Sequence, residues 1–206
     1  MTGKIKLNAA SGGGSVSFQA PSSTGDDRVI TLPTTADGTV LTTTNPKPGN
    51  IIQVVSTTKT DSTSTNSNTY VDISGMSVTL TPSSGSKCYV TYHIVAGGAT
   101  GYGYGIRLQR DSSPIGSGDL YNAQNYYASR GGFLTINGAY FHGGNLDYGY
   151  LDTHGANGST AVTYKLRWIS PYSQDIYLNR SHSGSSNTTN EPNYLASTIT
   201  VMEVAG

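Results

Sequence analysis

Charge is scarce in this chain. Of 206 residues 12% are Asp, Glu, Lys or Arg, half the usual share of about 25%, and 12 basic residues cancel 12 acidic ones. That balance excludes a protein held mainly by its charge to nucleic acid or to an anionic membrane. Long apolar runs are missing too. None approaches the roughly 20 residues that span a bilayer, and Met1 to Lys6 lacks the apolar segment of a secretory signal, so we expect synthesis in a cytosol without membrane insertion. A single cysteine, Cys88, cannot close an intrachain disulfide. Among the strand-like neighbours Tyr89, Val90, Thr91 and Tyr92 it reads as a small buried hydrophobe rather than a nucleophile. No Gly-rich run is followed by Lys-Ser/Thr or opens a helix, which removes a phosphate cradle. No Gly-x-Ser-x-Gly elbow appears either.

What fills the chain is Ser, Thr, Asn and 26 Gly, with 15 Tyr against 3 Phe. Apolar residues recur every second position, which selects strands over helices. Val162, Tyr164, Leu166 and Trp168 fall on one face of Thr160 to Ile169, and Tyr104, Ile106 and Leu108 alternate in the same way. Further strands are expected over 51–58, 69–74, 77–81, 88–95, 133–140, 175–179 and 198–204, separated by turn clusters such as Pro82-Ser83-Ser84-Gly85 and Asn157-Gly158. About nine short strands in succession predict an all-β sandwich or barrel over residues 50–206. Its expected core is Ile51, Val54, Val78, Leu80, Val90, Ile106, Leu108, Val162, Leu166, Trp168, Ile176, Ile199 and Val201.

Residues 1–44 differ. Strands are expected at Ser15 to Ala20 and Arg28 to Leu32, yet too few apolar side chains are present to close an independent core. Several copies around one axis would supply the missing partners. Residues 45–49, with Pro46 and Pro48 flanking Lys47, read as a stiff, extended joint before a head at 50–206.

Chemistry is sparse. His142, Asp147, Asp152 and His154 lie close in sequence, but their spacing matches neither a zinc helix nor a calcium loop, so neither a metal nor any other cofactor is expected. Asp147 with Asp152, or Asp111 with Asp119, are candidate acid pairs for glycoside cleavage, but acids are sparse and stand in segments read as loops. We therefore expect no catalytic residues and no enzyme. His93 is expected to face a neighbouring chain or a core hydrogen bond, and Tyr104 and Tyr164 to be structural. The remaining tyrosines are the stronger signal. In the segments 111–130 and 141–158, Tyr121, Tyr126, Tyr127, Tyr148 and Tyr150 stand beside Asn122, Gln124, Asn125 and glycines. Such rings stack on sugar or protein surfaces while the amides fix orientation; the competing reading is packing across strands or between subunits.

The run Leu7-Asn8-Ala9-Ala10-Ser11-Gly12-Gly13-Gly14-Ser15-Val16-Ser17-Phe18-Gln19-Ala20-Pro21, with Arg28 to Leu41 after it, resembles a segment that recurs in tail-fibre and other virion proteins of bacteriophages. Residues 105–112, 161–165, 176–181 and 197–204 resemble the globular head that follows it. The resemblance implies a homotrimeric virion appendage with a jelly-roll head similar to the C1q and tumour-necrosis-factor fold. A short β-stem over 1–44, completed by trimerisation, would bind other virion proteins. The head would bind a host surface glycan or protein through the eight Tyr, Asn and Gln residues named above. A capsid or tail decoration protein is the alternative, and a glycan-cleaving tailspike a third.

Overall fold

The computed structural model describes residues 4–19, 25, 46–98, 103–116, 133–135, 143–180 and 195–206. Two compact units divide the chain, residues 1–40 and 41–206. In the first, β1 (Lys4–Asn8) and β2 (Ser15–Gln19) form an antiparallel hairpin in which Ile5 pairs with Phe18 and Leu7 with Val16. Gly12 and Gly13 turn it at φ of 85° and 69°, a region that residues with a Cβ rarely enter. The expected strand at Arg28 to Leu32 lies outside the described residues.

Eleven strands build the second unit: β3 (Ile51–Lys59), β4 (Thr63–Thr65), β5 (Val71–Leu80), β6 (Lys87–Gly98), β7 (Gly103–Arg110), β8 (Ser113–Pro114), β9 (Phe133–Thr135), β10 (Gly143–Asp152), β11 (Val162–Ile169), β12 (Ile176–Leu178) and β13 (Ser197–Val204). No helix occurs among the described residues, and every strand pairing is antiparallel. In the first sheet β13 lies between β3 and β6, and β10 holds the far edge of β6. In the second, β11 lies between β5 and β7, while β8 and β9 share the far edge of β7. With the three-residue strands β4 and β12, which extend the first sheet beyond the end of β13, left aside and β8 and β9 taken together as the fifth strand of eight, the order is 1-8-3-6 against 2-7-4-5. This is the order of a jelly roll, in which consecutive strands alternate between the two sheets except at the β7–β8 hairpin, which stays in one.

Alternation explains why these sheets close. Val90, Tyr92 and Ile94 of β6 and Ile199 and Val201 of β13 face Val78, Leu80, Ile106, Leu108, Tyr164, Leu166 and Trp168 of the opposite sheet, all buried. Cys88 is fully buried among them, a free thiol that burial pushes up in pKa. Tyr104 and Tyr164 are wholly buried, as expected of structural tyrosines. Two expected core residues are not in the core: Ile51 is 58% and Val54 55% exposed. On β3 the inward positions belong to Gln53, Val55 and Thr57, which turns Val54 outward. The expected strands 69–74 and 77–81 are one strand, β5, interrupted where Gly75 takes φ of 80° and the register with β11 slips.

Two further corrections concern connections. Lys47-Pro48-Gly49-Asn50 is not extended: Asn50 N donates to Lys47 O at 3.0 Å, with Pro48 and Gly49 (φ 88°) in the middle positions, a type II turn. Gly49 N donates to Ala205 O and Ala205 N to Asn50 O, so the turn is bonded to the residue that follows β13. Residues 143–152, read as part of a loop, form the ten-residue strand β10, which pairs with β6 along its whole length.

Where β13 ends its pairing with β6 and β12 begins, Asn179 (φ 60°) joins the pieces. Its N–H donates to Val95 O and its Nδ2 to Lys59 O and Asp61 O. Ser197 Oγ donates to Asn179 Oδ1 at 2.6 Å, and Leu195 N to Asn179 O at 3.4 Å. Asn179 is fully buried, and these bonds satisfy its amide.

Candidate functional site

The two sheets differ on their outer faces. On the second, Asp72, Lys165 and Arg167 form a charged ladder: Lys165 Nζ lies 2.8 Å from Asp72 Oδ2 and Arg167 Nε 2.8 Å from Oδ1. These cations hold the Asp72 carboxyl below the usual carboxylate range, Lys165 foremost. Arg107 lies over the Tyr70 ring, 3.5 Å from its centroid.

On the first sheet the outward positions are almost uncharged. The pairings align Leu151, Tyr89, Met202 and Val54 in one row across four strands, Gly149, Thr91, Thr200 and Ser56 in a second, and Asp147, His93, Thr198 and Thr58 in a third. Val54 is 55%, Leu151 49% and Tyr89 39% exposed. The Tyr89 ring lies against Gly149, where a Cβ would meet its hydroxyl at 2.5 Å, so this glycine makes room for the ring. Between Tyr89 and the third row an open cleft of about 390 Å³ is lined by Thr91, His93, Asp147, Gly149 and Thr198. His93 Nδ1 lies 2.6 Å from Asp147 Oδ1, so His93 meets a partner on the outer face and not in the core.

The tyrosines expected at a receptor surface separate into two sets. Tyr121, Asn122, Gln124, Asn125, Tyr126 and Tyr127 lie outside the described residues. Tyr148 and Tyr150 stand at inward positions of β10, half-buried against the core, contrary to a place on a loop. Tyr148 Oη donates to Gly116 O at 2.5 Å, and its ring packs on Tyr92 with centroids 5.8 Å apart. The same alternation separates the paired acids. Asp147 points outward; Asp152, five residues on, points inward and is buried.

Asp152 belongs to a cluster that sequence reasoning missed. Arg110 Nη1 donates to both its carboxylate oxygens, at 2.9 and 2.8 Å, and Tyr164 Oη donates to Oδ2 at 2.7 Å. The contact ties β10 of one sheet to β7 and β11 of the other. Burial, with the Asp152 bond and neighbouring Cys88, pushes the Tyr164 phenol up. Glu203, also fully buried, accepts from Gln53 Nε2 at 2.5 Å and from Ser83 N at 2.7 Å. Burial raises its pKa, but hydrogen bonds from Gln53, Ser86 and Ser83 outweigh that and hold it below the ordinary value.

His154 is held by Ser86, whose Oγ is 3.3 Å from its Nε2, and accepts from Ala156 N at 2.9 Å. His142 lies outside the described residues. Among the described residues no three His, Cys, Asp or Glu side chains gather to hold a metal. No protein-family model matches the chain, and no curated protein matches it.

Proposed function

We propose that this chain is a bacteriophage virion protein, a short homotrimeric tail fibre whose head binds the host surface without chemistry. The observation that carries the reading is the β1–β2 hairpin. Ile5, Leu7, Val16 and Phe18 share one face and are each at least half exposed, while Lys6, Asn8, Ser15 and Ser17 share the other. A two-stranded hairpin is marginal in water, and an apolar face of this kind is covered when several copies turn it toward one axis. The jelly-roll order agrees with the head that the resemblance implies. The separation of Asp147 from Asp152 by strand parity supports a head that does not cleave glycans. Receptor contact falls in this proposal to Tyr121, Asn122, Gln124, Asn125, Tyr126 and Tyr127, with residues 1–44 binding other virion proteins.

Sedimentation of the full chain tests the reading first: three copies are expected, and a monomer overturns it. Replacing Tyr126 and Tyr127 with Ala is expected to abolish attachment of the trimer to host cells without moving its melting temperature. Labelled antibody on intact virions then locates the protein. Tail labelling supports a fibre, whereas an even coat on the capsid replaces it with decoration.

A further inference from the structure

The turn that leads into β11 carries chemistry that neither the core nor the proposed receptor segment uses. Asn157, Gly158, Ser159 and Thr160 are all exposed, and among the described asparagines Asn157 alone precedes a glycine. Asn157 Oδ1 accepts from Ser159 N at 3.2 Å, from Ser159 Oγ at 2.8 Å and from Thr160 Oγ1 at 3.3 Å. We infer that Asn157 is a self-modifying site, at which the backbone nitrogen of Gly158 attacks the side-chain amide and the folded turn speeds the loss of ammonia.

Three observations supply the parts of this reaction. The first is the nucleophile. Among the described residues the Gly158 N–H enters no hydrogen bond, so its proton passes to hydroxide or a solvent base without breaking a bond of the fold. The second is access. Gly158 takes φ of 87°, and a Cβ there would meet nothing nearer than Ser84 N at 3.5 Å, so no side chain stands over the attacking nitrogen. The third is the electrophile. The bond from Ser159 N closes an Asx turn that folds the amide back over its own backbone. As Gly158 N bonds to Asn157 Cγ, negative charge gathers on Oδ1, the atom on which the three donors converge. Hydrogen bonds strengthen toward a charged acceptor, so these donors favour the tetrahedral intermediate over the resting amide.

The step balances without an oxidant or a metal. The Gly158 N–Cγ bond forms, the Cγ–Nδ2 bond breaks, and Nδ2 leaves as ammonia with a proton from water. Water then opens the five-membered ring. Addition at Cγ leaves aspartate, and addition at the backbone carbonyl leaves an isoaspartyl link with one more methylene in the main chain. Aspartate keeps the three donors on a carboxylate oxygen. The isoaspartyl form displaces Ser159 and Thr160 from theirs, next to the start of β11. Either product adds one negative charge to a chain whose formal net charge is zero.

Ageing the full chain in water enriched in oxygen-18, with fragment mass spectra of the peptide that holds Asn157, tests this. Asn157 is expected to convert to a labelled carboxylate ahead of Asn66 and Asn68, which are equally exposed but precede Ser67 and Thr69. Ser159→Ala and Thr160→Val are each expected to slow conversion about fivefold, the effect of losing one hydrogen bond. An unchanged melting midpoint verifies that the variants fold. A second measurement needs no variant: the wild-type chain unfolded in guanidinium loses all three donors together and is expected to convert about tenfold more slowly than the folded chain. Retention of the Asn157 amide while Asn66 or Asn68 converts overturns the inference. So do variants that convert at the wild-type rate, and so does an unfolded chain that converts as fast as the folded one, since the turn would then protect the amide. These readouts are the same for a monomer and a trimer, so they stand or fall apart from the tail-fibre reading.

Discussion

The β1–β2 hairpin and strand β11 are written in the same pattern and end in opposite environments. Both alternate apolar and polar side chains, so each gathers its apolar set on one face. In β11 Val162, Tyr164, Leu166 and Trp168 are buried, whereas in the hairpin Ile5, Leu7, Val16 and Phe18 are 50–67% exposed. Periodicity is a property of one strand and decides which side chains travel together. Burial is a property of the partner: β11 has a second sheet opposite it and the hairpin has no such sheet within its pairing. Strand β3 is a third case, apolar in both phases with one face on the core.

The comparison breaks most visibly at Trp168. Trp168→Ala is expected to cost the head about 3–5 kcal/mol, because the indole is enclosed and its cavity cannot collapse. Urea unfolding followed by far-ultraviolet circular dichroism measures this. A loss below about 1 kcal/mol would mean that the two sheets do not close on each other there. Asp152→Ala comes next, at about 2–4 kcal/mol, since it strands the Arg110 guanidinium and the Tyr164 hydroxyl between the sheets. Asp152→Asn keeps an acceptor and is expected to cost less in the same titration.

A smaller effect, dependent on pH, comes from Glu203. Its folded pKa lies below the ordinary 4.5, so its contribution is complete above that value and fades as pH falls through the lower folded one. Glu203→Gln is therefore expected to cost roughly 1 kcal/mol at neutral pH and to flatten the acid limb of the stability curve. An acid limb of unchanged slope would assign the sensitivity elsewhere, with Asp72 the next carboxylate to examine. Smallest of all is Phe18→Ser. Its effect on unfolding of the head should stay within about 0.5 kcal/mol, while sedimentation should show weaker association. If the head loses stability instead, the hairpin and the head are not the independent units that the comparison assumes.

Much of the sandwich was legible because strands such as β11, from Val162 to Trp168, carry apolar side chains in one phase only. Strand β10 was not, because its sequence Gly143-Gly144-Asn145-Leu146-Asp147-Tyr148-Gly149-Tyr150 resembles a loop in composition. The signal that finds it is Leu146, Tyr148 and Tyr150 at every second position, and the glycines obscure it although Gly149 is there to accept the Tyr89 ring. Phase was illegible on β3, where Val54 and Val55 offer equal claims to the core. The Asp152 cluster could not be read at all, since Arg110 and Tyr164 reach it through the packing of one sheet on the other. The cleft by Tyr89 depends on the register between β6, β10 and β13, which no single strand encodes.

Asn179 is a latch between strands that are far apart in the chain. With Leu195 N on its carbonyl and Ser197 Oγ on its amide oxygen, this one side chain and its peptide fasten the end of β12 to the start of β13. The two strands therefore share a single latch, and a substitution there reaches both at once.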